Sequence, residues 1–231
     1  MKISGSGRLS GMKLNDTLVV SGFAKIDGNF ECEGFRSSGS MRAEGDLTVN
    51  GDVKSSGSFR LSGNLEVKGN AKFSGSTTIG QGIKIGGGFG NSGSLRAGDK
   101  IEADQGIRLS GSTRVEGGLF SQETIEIEGS TTINGDINAN EVLIGTKTVI
   151  KGKRIAKHPY IVSGSIYGAN TVDIKYTIVD GDVKGRHVII GKRAEVVGNV
   201  YYIDSIDVDD KAFLTNVPIQ ISEINKDRIE K

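Results

Sequence analysis

Few residues in this chain are suited to catalysis or to metal binding. It contains two histidines, His158 and His187, and one cysteine, Cys32. A site built from three histidines cannot be completed by two, and one cysteine cannot form a disulfide within the chain. Cys32 shares the alternating parity of Ile26 and Phe30, which predicts a buried small hydrophobe rather than a reactive thiol.

Two further stretches contain residue types that bind ions or nucleotides, but their spacing does not fit such sites. Aspartates cluster at Asp204, Asp207, Asp209 and Asp210, in a spacing that matches no calcium-binding loop. The glycine-rich run "GGGFG" at Gly86–Gly90 lacks the Lys-Ser/Thr pair and the following helix of a phosphate-binding loop. The sequence therefore predicts no catalytic residue, no cofactor and no metal.

The composition points away from several classes of protein. The 231 residues carry a formal net charge of +1, which gives no reason to expect nucleic-acid binding. A single cysteine fits a reducing cytoplasm. The start "MKISGSG" lacks the apolar core of a signal peptide, and no run approaches the length of a membrane span. We therefore expect a cytoplasmic protein, and contact with the inner face of the membrane stays open.

The few candidate residues are carried by a chain that repeats itself every 17 or 18 residues. "SGS" marks the repeat at most steps, and "EGS", "DGD" and "VGN" stand in its place at others. Between Glu128 and Ser163 lie 35 residues, which leaves room for two units with a corner near Gly145. A fixed period of this kind indicates a solenoid. The predicted corner glycines are Gly22, Gly39, Gly57, Gly75, Gly93, Gly111, Gly129, Gly164, Gly181 and Gly198.

Within one unit, apolar and polar residues alternate strictly. From Gly45 to Ile79 the odd positions hold glycine, apolar residues, Ser55 and Thr77, whereas the even positions from Asp46 to Thr78 are polar. A period of two indicates strands with one buried face, and glycine every six residues supplies the corners through its conformational freedom. Three short strands and three corners per unit predict one coil of a triangular parallel β-helix.

The same positions of successive units should stack into apolar columns. Twelve to thirteen coils would form one all-β domain over residues 3–217, and residues 218–231 would form a tail with a short helix or a cap. At the usual strand spacing this gives a rod of roughly 55–60 Å. The column predicted from the tenth position of each unit contains Phe30, Leu47, Leu65, Ile83, Ile101, Leu119, Ile137, Val172, Ile189 and Ile206.

Two other functions are compatible with a β-helix of this kind. The stretch "VIIGKRAEVVGNV" at Val188–Val200 resembles the repeats of hexapeptide acyltransferases, which are trimeric left-handed β-helices with a histidine base. This chain, however, offers two inward positions in most hexads where those enzymes have one. A surface adhesin built on a β-helix is the other alternative, and the missing signal peptide argues against it.

Nearly the whole chain resembles the bactofilins, the polymer-forming cytoskeletal proteins of bacteria and some archaea. The likeness lies in "GDLTVNGDVKSSG" from Gly45, in "FECEG" from Phe30, and in the closing stretch from Gly181 to Phe213. The resemblance implies a right-handed helix and nucleotide-free assembly into filaments by end-to-end stacking. Family members have a shorter β-helix between disordered tails, so we expect this chain to lack their membrane-targeting segment.

The resemblance also implies where copies would touch. Family members use an apolar residue of the last coil, commonly phenylalanine, and by parity Leu214 takes its place while Phe213 points outward. At the other end, Ile3 and Leu9 lie in the first coil. We therefore expect a non-catalytic structural protein whose partners are copies of itself, through Ile3, Leu9, Phe213 and Leu214, together with any proteins that it scaffolds.

Overall fold

A computed structural model describes residues 1–147 and 160–223 of the chain, and these residues form strands, corners and no helix. The all-β class is confirmed. The strands are β1 (Lys2–Ile3), β2 (Ser6–Ser10), β3 (Lys13–Val20), β4 (Phe23–Asp27), β5 (Phe30–Ser37), β6 (Ser40–Glu44), β7 (Leu47–Val49), β8 (Val53–Ser55), β9 (Ser58–Leu61), β10 (Leu65–Val67), β11 (Ala71–Phe73), β12 (Ser76–Ile79), β13 (Ile83–Ile85), β14 (Phe89–Asn91), β15 (Ser94–Ala97), β16 (Ile101–Ala103), β17 (Ile107–Leu109), β18 (Ser112–Val115), β19 (Leu119–Ser121), β20 (Thr124–Ile127), β21 (Thr131–Ile133), β22 (Ile137–Ile144), β23 (Tyr160–Val162), β24 (Ile166–Ile174), β25 (Thr177–Val179), β26 (Val183–Ile190), β27 (Glu195–Val196), β28 (Val200–Val208), β29 (Phe213–Leu214) and β30 (Ile219–Gln220).

These strands stack in parallel on three faces. The first face is a sheet of twelve strands, one from each coil, that runs from β2 and β4 to β27 and β29. The second face includes β7, β10, β13, β16 and β19, and the third face includes β8, β11, β14, β17 and β20. Longer strands such as β24 and β26 run across the corner between these two faces, where the register shifts. The predicted parallel β-helix of about twelve coils is confirmed, and its handedness stays a prediction.

The core lies inside the coils and consists of stacked columns. The first seven residues of the predicted column, Phe30 to Ile137, pair with one another in consecutive strands of the second face. All seven are at most 3% exposed. Alternation within each strand therefore predicts correctly which side chains are buried over this part of the solenoid.

The prediction for the later members of that column is wrong. Ile137 pairs with Ile166, 29 residues further on, because this coil is longer than the others and includes residues 148–159. Counting in steps of 17 or 18 therefore slips by one corner. Val172 and Ile206 belong to a column of the third face, and Ile189 faces outward between two buried neighbours.

Corner glycines are required by the close approach of successive coils. A Cβ on Gly57 would overlap the carbonyl oxygen of Gly39, and a Cβ on Gly75 would overlap that of Gly57. The same overlap recurs at Gly22, Gly39, Gly93, Gly111 and Gly129. Of these seven glycines only Gly129 has a positive φ, at 97°, so contact with the preceding coil explains the residue type better than the conformational freedom we expected.

The last three predicted corner glycines belong to another corner. Gly164 packs on Gly135, Gly181 packs on Gly164, and Gly198 packs on Gly181, so they form a column of their own. They follow the first face, whereas Gly57 and its column precede it. The longer coil after Gly145 causes this shift too.

Asparagine and aspartate side chains connect the coils at the other two corners. The Oδ1 atom of Asp46 accepts a hydrogen bond from the backbone N–H of Asn64, and Oδ1 of Asn64 accepts from the N–H of Gly82. At the next corner, Oδ1 of Asp52 accepts from the N–H of Asn70 at 2.8 Å. These side chains provide acceptors for backbone donors at the bends.

The strand ladder extends slightly beyond the expected boundary at residue 217. Ile219 and Gln220 of β30 pair with Tyr201 and Tyr202 of β28. The predicted tail helix would begin near Ser222 and lies almost wholly outside the described residues. The proposed corner at "HPY" has only Tyr160 inside them, as the first residue of β23.

Alanine at a corner should destabilise the fold far more than alanine at an open glycine. We expect Gly57→Ala to lower the free energy of unfolding by about 1–3 kcal/mol, because its Cβ must displace the neighbouring backbone. At Gly90 the only atom within 4 Å of a new Cβ is Cγ of Lys72, at 3.8 Å, so Gly90→Ala serves as the matched control. Denaturant unfolding measures both, and equal midpoints would contradict the packing argument.

The Asp52 bond predicts a contribution to stability that depends on pH. The N–H of Asn70 holds the pKa of Asp52 below its ordinary value of 3.8. Since folding favours the ionised form, this contribution is fully present above pH 3.8 and is lost as the pH falls through the lower pKa of the folded protein. Asp52→Asn keeps an acceptor but cannot titrate, so its stability difference from the parent should shrink between about pH 7 and about pH 2. A constant difference in urea unfolding would show that Asp52 does not contribute in this way.

Candidate assembly surfaces

The structure does not assemble the residues suited to chemistry into a site. His187 lies on the surface, where its Nδ1 and the Ser205 hydroxyl are 2.9 Å apart and its Nε2 lies 3.7 Å from Asp204. His158 falls outside the described residues. Across residues 1–147 and 160–223, no group of three or more histidine, cysteine, aspartate or glutamate side chains could hold a metal ion.

The aspartate cluster is divided among separate local contacts. Asp204 pairs with Arg186 at 2.7 Å, and Oδ1 of Asp209 accepts a hydrogen bond from the backbone N–H of Lys211. The glycine-rich run contributes a corner, and Phe89 and Gly90 begin β14 rather than a helix. Neither stretch has the arrangement that a calcium or phosphate loop requires.

Cys32 is fully buried in β5, as its parity predicts. Burial among apolar side chains disfavours the thiolate and raises the pKa of Cys32 to about 11. This thiol therefore fills space in the core.

The inward column of the first face has partly exposed ends. It begins at Leu9, continues through eleven consecutive strand pairings and ends at Leu214. Both leucines pack against the core but are only partly buried, whereas Ile26 and Val196, their neighbours in the column, are fully buried. The structure thus places two of the predicted interface residues at opposite ends of one column.

A second column has the same property and includes a residue that the sequence reading missed. Ile3 pairs with Val20 at the first end of the third face, and Ile190 pairs with Val208 at the last end. Ile3 is 8% exposed and Val208 is 40% exposed. The alternation from Ile206 to Val208 could have indicated Val208 as an end residue, because both have the inward parity.

Phe213 points outward beside Leu214, as its parity predicts, and is 60% exposed. Exposed large apolar side chains concentrate in the terminal coils. Among the described residues, six of the eight lie in the first or last coil, namely Met1, Met12, Val208, Phe213, Val217 and Ile219. Strands at these ends also lack a neighbour on one side, since β2 pairs only with β4 and β29 only with β27 in the described part of the chain.

The fold defines the chain as a parallel β-solenoid, and its notable surfaces are its two ends. No family model, no curated protein and no solved structure matches it. The described residues contain no helix that is long and apolar enough to cross a membrane.

The buried position of Cys32 predicts an unreactive thiol. At about pH 8 a thiol with a pKa near 11 is ionised in about one molecule in a thousand, and its burial also blocks reagents. We expect iodoacetamide to leave the folded protein unmodified and to alkylate it after unfolding in guanidinium. Ser92→Cys, which places a thiol at an exposed corner, is the positive control. Equal alkylation of Cys32 in the folded and unfolded protein would contradict the burial.

Proposed function

We propose that this chain is a non-catalytic structural protein whose copies stack end to end, without nucleotide, into a cytoplasmic filament or scaffold. The single observation that carries the proposal is the first-face column with Leu9 at one end and Leu214 at the other. A second copy placed one strand spacing beyond β29 would set its Leu9 over Leu214 and its Ile3 over Val208. Both columns would then continue across the junction.

Backbone hydrogen bonding supports the same contact. Strands at both ends carry N–H and C=O groups that face away from the solenoid, and such edges pair readily with another strand. A head-to-tail junction would keep every strand parallel, as all the strand pairs within one copy already are. A junction of this kind generates an open fibre rather than a closed ring.

The charges at the two ends favour a head-to-tail orientation. The first coil contains Lys2, Arg8 and Lys13 with one acid, Asp16. The stretch around β29 contains Asp207, Asp209 and Asp210 with one base, Lys211. Opposite charges across an interface guide association and disfavour contacts between like ends.

The resemblance to bactofilins agrees with this function and implies the same type of contact. It also motivates our proposal that the filament is cytoplasmic and that it scaffolds other proteins. Nothing in the described residues favours the acyltransferase or adhesin alternatives over the structural function.

Arginine at either end of the column should prevent filament growth while leaving the coils intact. We expect Leu9→Arg and Leu214→Arg each to yield short particles, because a charge would be buried without a partner at every junction. Negative-stain electron microscopy measures filament length, and circular dichroism checks that the β-structure is retained.

The matched control is Val197→Arg, at an apolar side chain that is 44% exposed on the flank of the rod. It should leave filaments unchanged. Long filaments from both end variants would overturn the end-to-end contact, and a discrete trimer of the parent protein would favour the acyltransferase alternative.

A further inference from the structure

The third face carries a row of outward side chains whose charge reverses halfway along the rod. We call it the third-face row. Its first half contains four cations and one glycine, one residue per coil in register: Arg36, Lys54, Lys72, Gly90 and Arg108. Its second half alternates acidic and apolar residues: Glu126, Leu143, Asp173, Ile189 and Asp207.

The cations of the first half lack partners within the chain. Arg36, Lys54 and Lys72 form no ion pair with any described residue, whereas Arg108 pairs with Glu126 at 2.6 Å. Like charges that lie directly opposite each other on neighbouring strands destabilise a sheet. Three such cations in successive coils therefore indicate that something outside the chain neutralises them.

The shape of the row is complementary as well as its charge. A groove of about 590 Å³ runs along this half of the third face, and Gly90 lies in its floor, where the row has no side chain. Only Cγ of Lys72 lies within 4 Å of the space that a side chain at Gly90 would fill. In the second half, Leu143 projects outward between Glu126 and Asp173 and is only partly buried.

We propose that two copies of this chain pair side by side and antiparallel through their third faces, around a two-fold axis between Arg108 and Glu126. In this register Arg36 faces Asp207 of the second copy, and Lys72 faces its Asp173. Each contact occurs twice, as the two-fold axis requires.

The centre of the row fits this axis as well. The Leu143 side chain of each copy enters the space at Gly90 of the other. Near the axis, the Arg108–Glu126 pair of one copy meets the same pair of the other, so that each charge gains a second partner of opposite sign.

The register is selected by charge. Moving one copy by a single strand would place Arg108 on Arg108 or Glu126 on Glu126 at the axis, and either contact is repulsive. The neighbouring row at the corner also agrees, since Asp52 would lie opposite His187. Lys54 meets Ile189, where its aliphatic stem provides the contact.

The size of the contact indicates a weak dimer that depends on its charges. Eleven coils at about 4.8 Å and three residues of strand width give roughly 500 Å² on each copy, or about 1,000 Å² in total. This lies at the lower limit for specific interfaces, so the ion pairs should decide whether it forms. Pairing through a side of the rod does not depend on end-to-end stacking and leaves both ends free.

A charge swap tests the proposal most directly. Lys72→Glu and Asp173→Lys are made singly and together in a Leu214→Arg background, which removes end-to-end growth. Analytical ultracentrifugation should find a dimer at low salt that dissociates at high salt. Each single variant should weaken it at least about tenfold, and the double variant should restore most of the affinity because both pairs re-form with exchanged signs.

A double variant as weak as the singles would overturn the antiparallel register, and so would a protein that stays monomeric at low salt. Long filaments in the Leu214→Arg background would instead contradict the end-to-end contact, so the two proposals can fail separately.

A cross-link provides a test that does not depend on charge. Cysteines at Gly90 and Leu143 should form disulfides between copies under mild oxidation, because the proposed register places them opposite each other. The control pair, Lys54→Cys with Leu143→Cys, is displaced by two coils, or about 9.6 Å, which is too far for a disulfide. Cross-linking of the control pair to the same extent, or of neither pair, would contradict the register.

Discussion

Each coil of this protein is hydrogen-bonded in parallel directly onto the coil before it, and every other feature of the structure depends on that contact. Neighbouring coils lie about one strand spacing apart, near 4.8 Å. At the corner before the first face this leaves no room for a Cβ, so Gly57 lies against the backbone of Gly39 and Gly75 against that of Gly57. The same proximity stacks equivalent side chains into columns, which explains why the sequence repeats residue type as well as length.

A stack of this kind has no inherent last member. Inside the rod, every coil buries its apolar side chains on two neighbours, but the first and last coils have one neighbour each among the described residues. Leu9 and Leu214 are therefore less buried than the rest of their column, and Val208 is more exposed than Ile190 beside it. The end-to-end contact that we propose is the same contact that builds the interior, made between copies. The side-by-side contact uses different physics, because it depends on charges that the strand register places in one row.

Much of the architecture could be predicted from the sequence because the repeat is local. The alternation correctly identifies the column from Phe30 to Ile137 and the buried position of Cys32. The period fails where the coil after Gly145 is longer, so Ile189 was assigned to the core although it faces outward. The reason for the corner glycines was also wrong, because contact with a coil 17 or 18 residues earlier is not visible in a local pattern.

The third-face row was missed for a related reason. Its members come from eleven coils, and only the strand register places Arg36, Lys72 and Asp173 in one line. Across the longer coil, no count along the sequence gives that alignment. The sequence does contain the signal, since every residue of the row follows an inward residue of the third face, but it can be read only after the coils have been aligned.

The central claim is that copies continue the stack of coils without interruption. Electron cryo-microscopy of filaments from the purified protein measures this directly. The account predicts a strand spacing of about 4.8 Å that runs unbroken along the filament axis, with an axial repeat of about 58 Å for twelve coils. Particles that stay one copy long at all concentrations, or filaments whose strands lie along the axis, would contradict it.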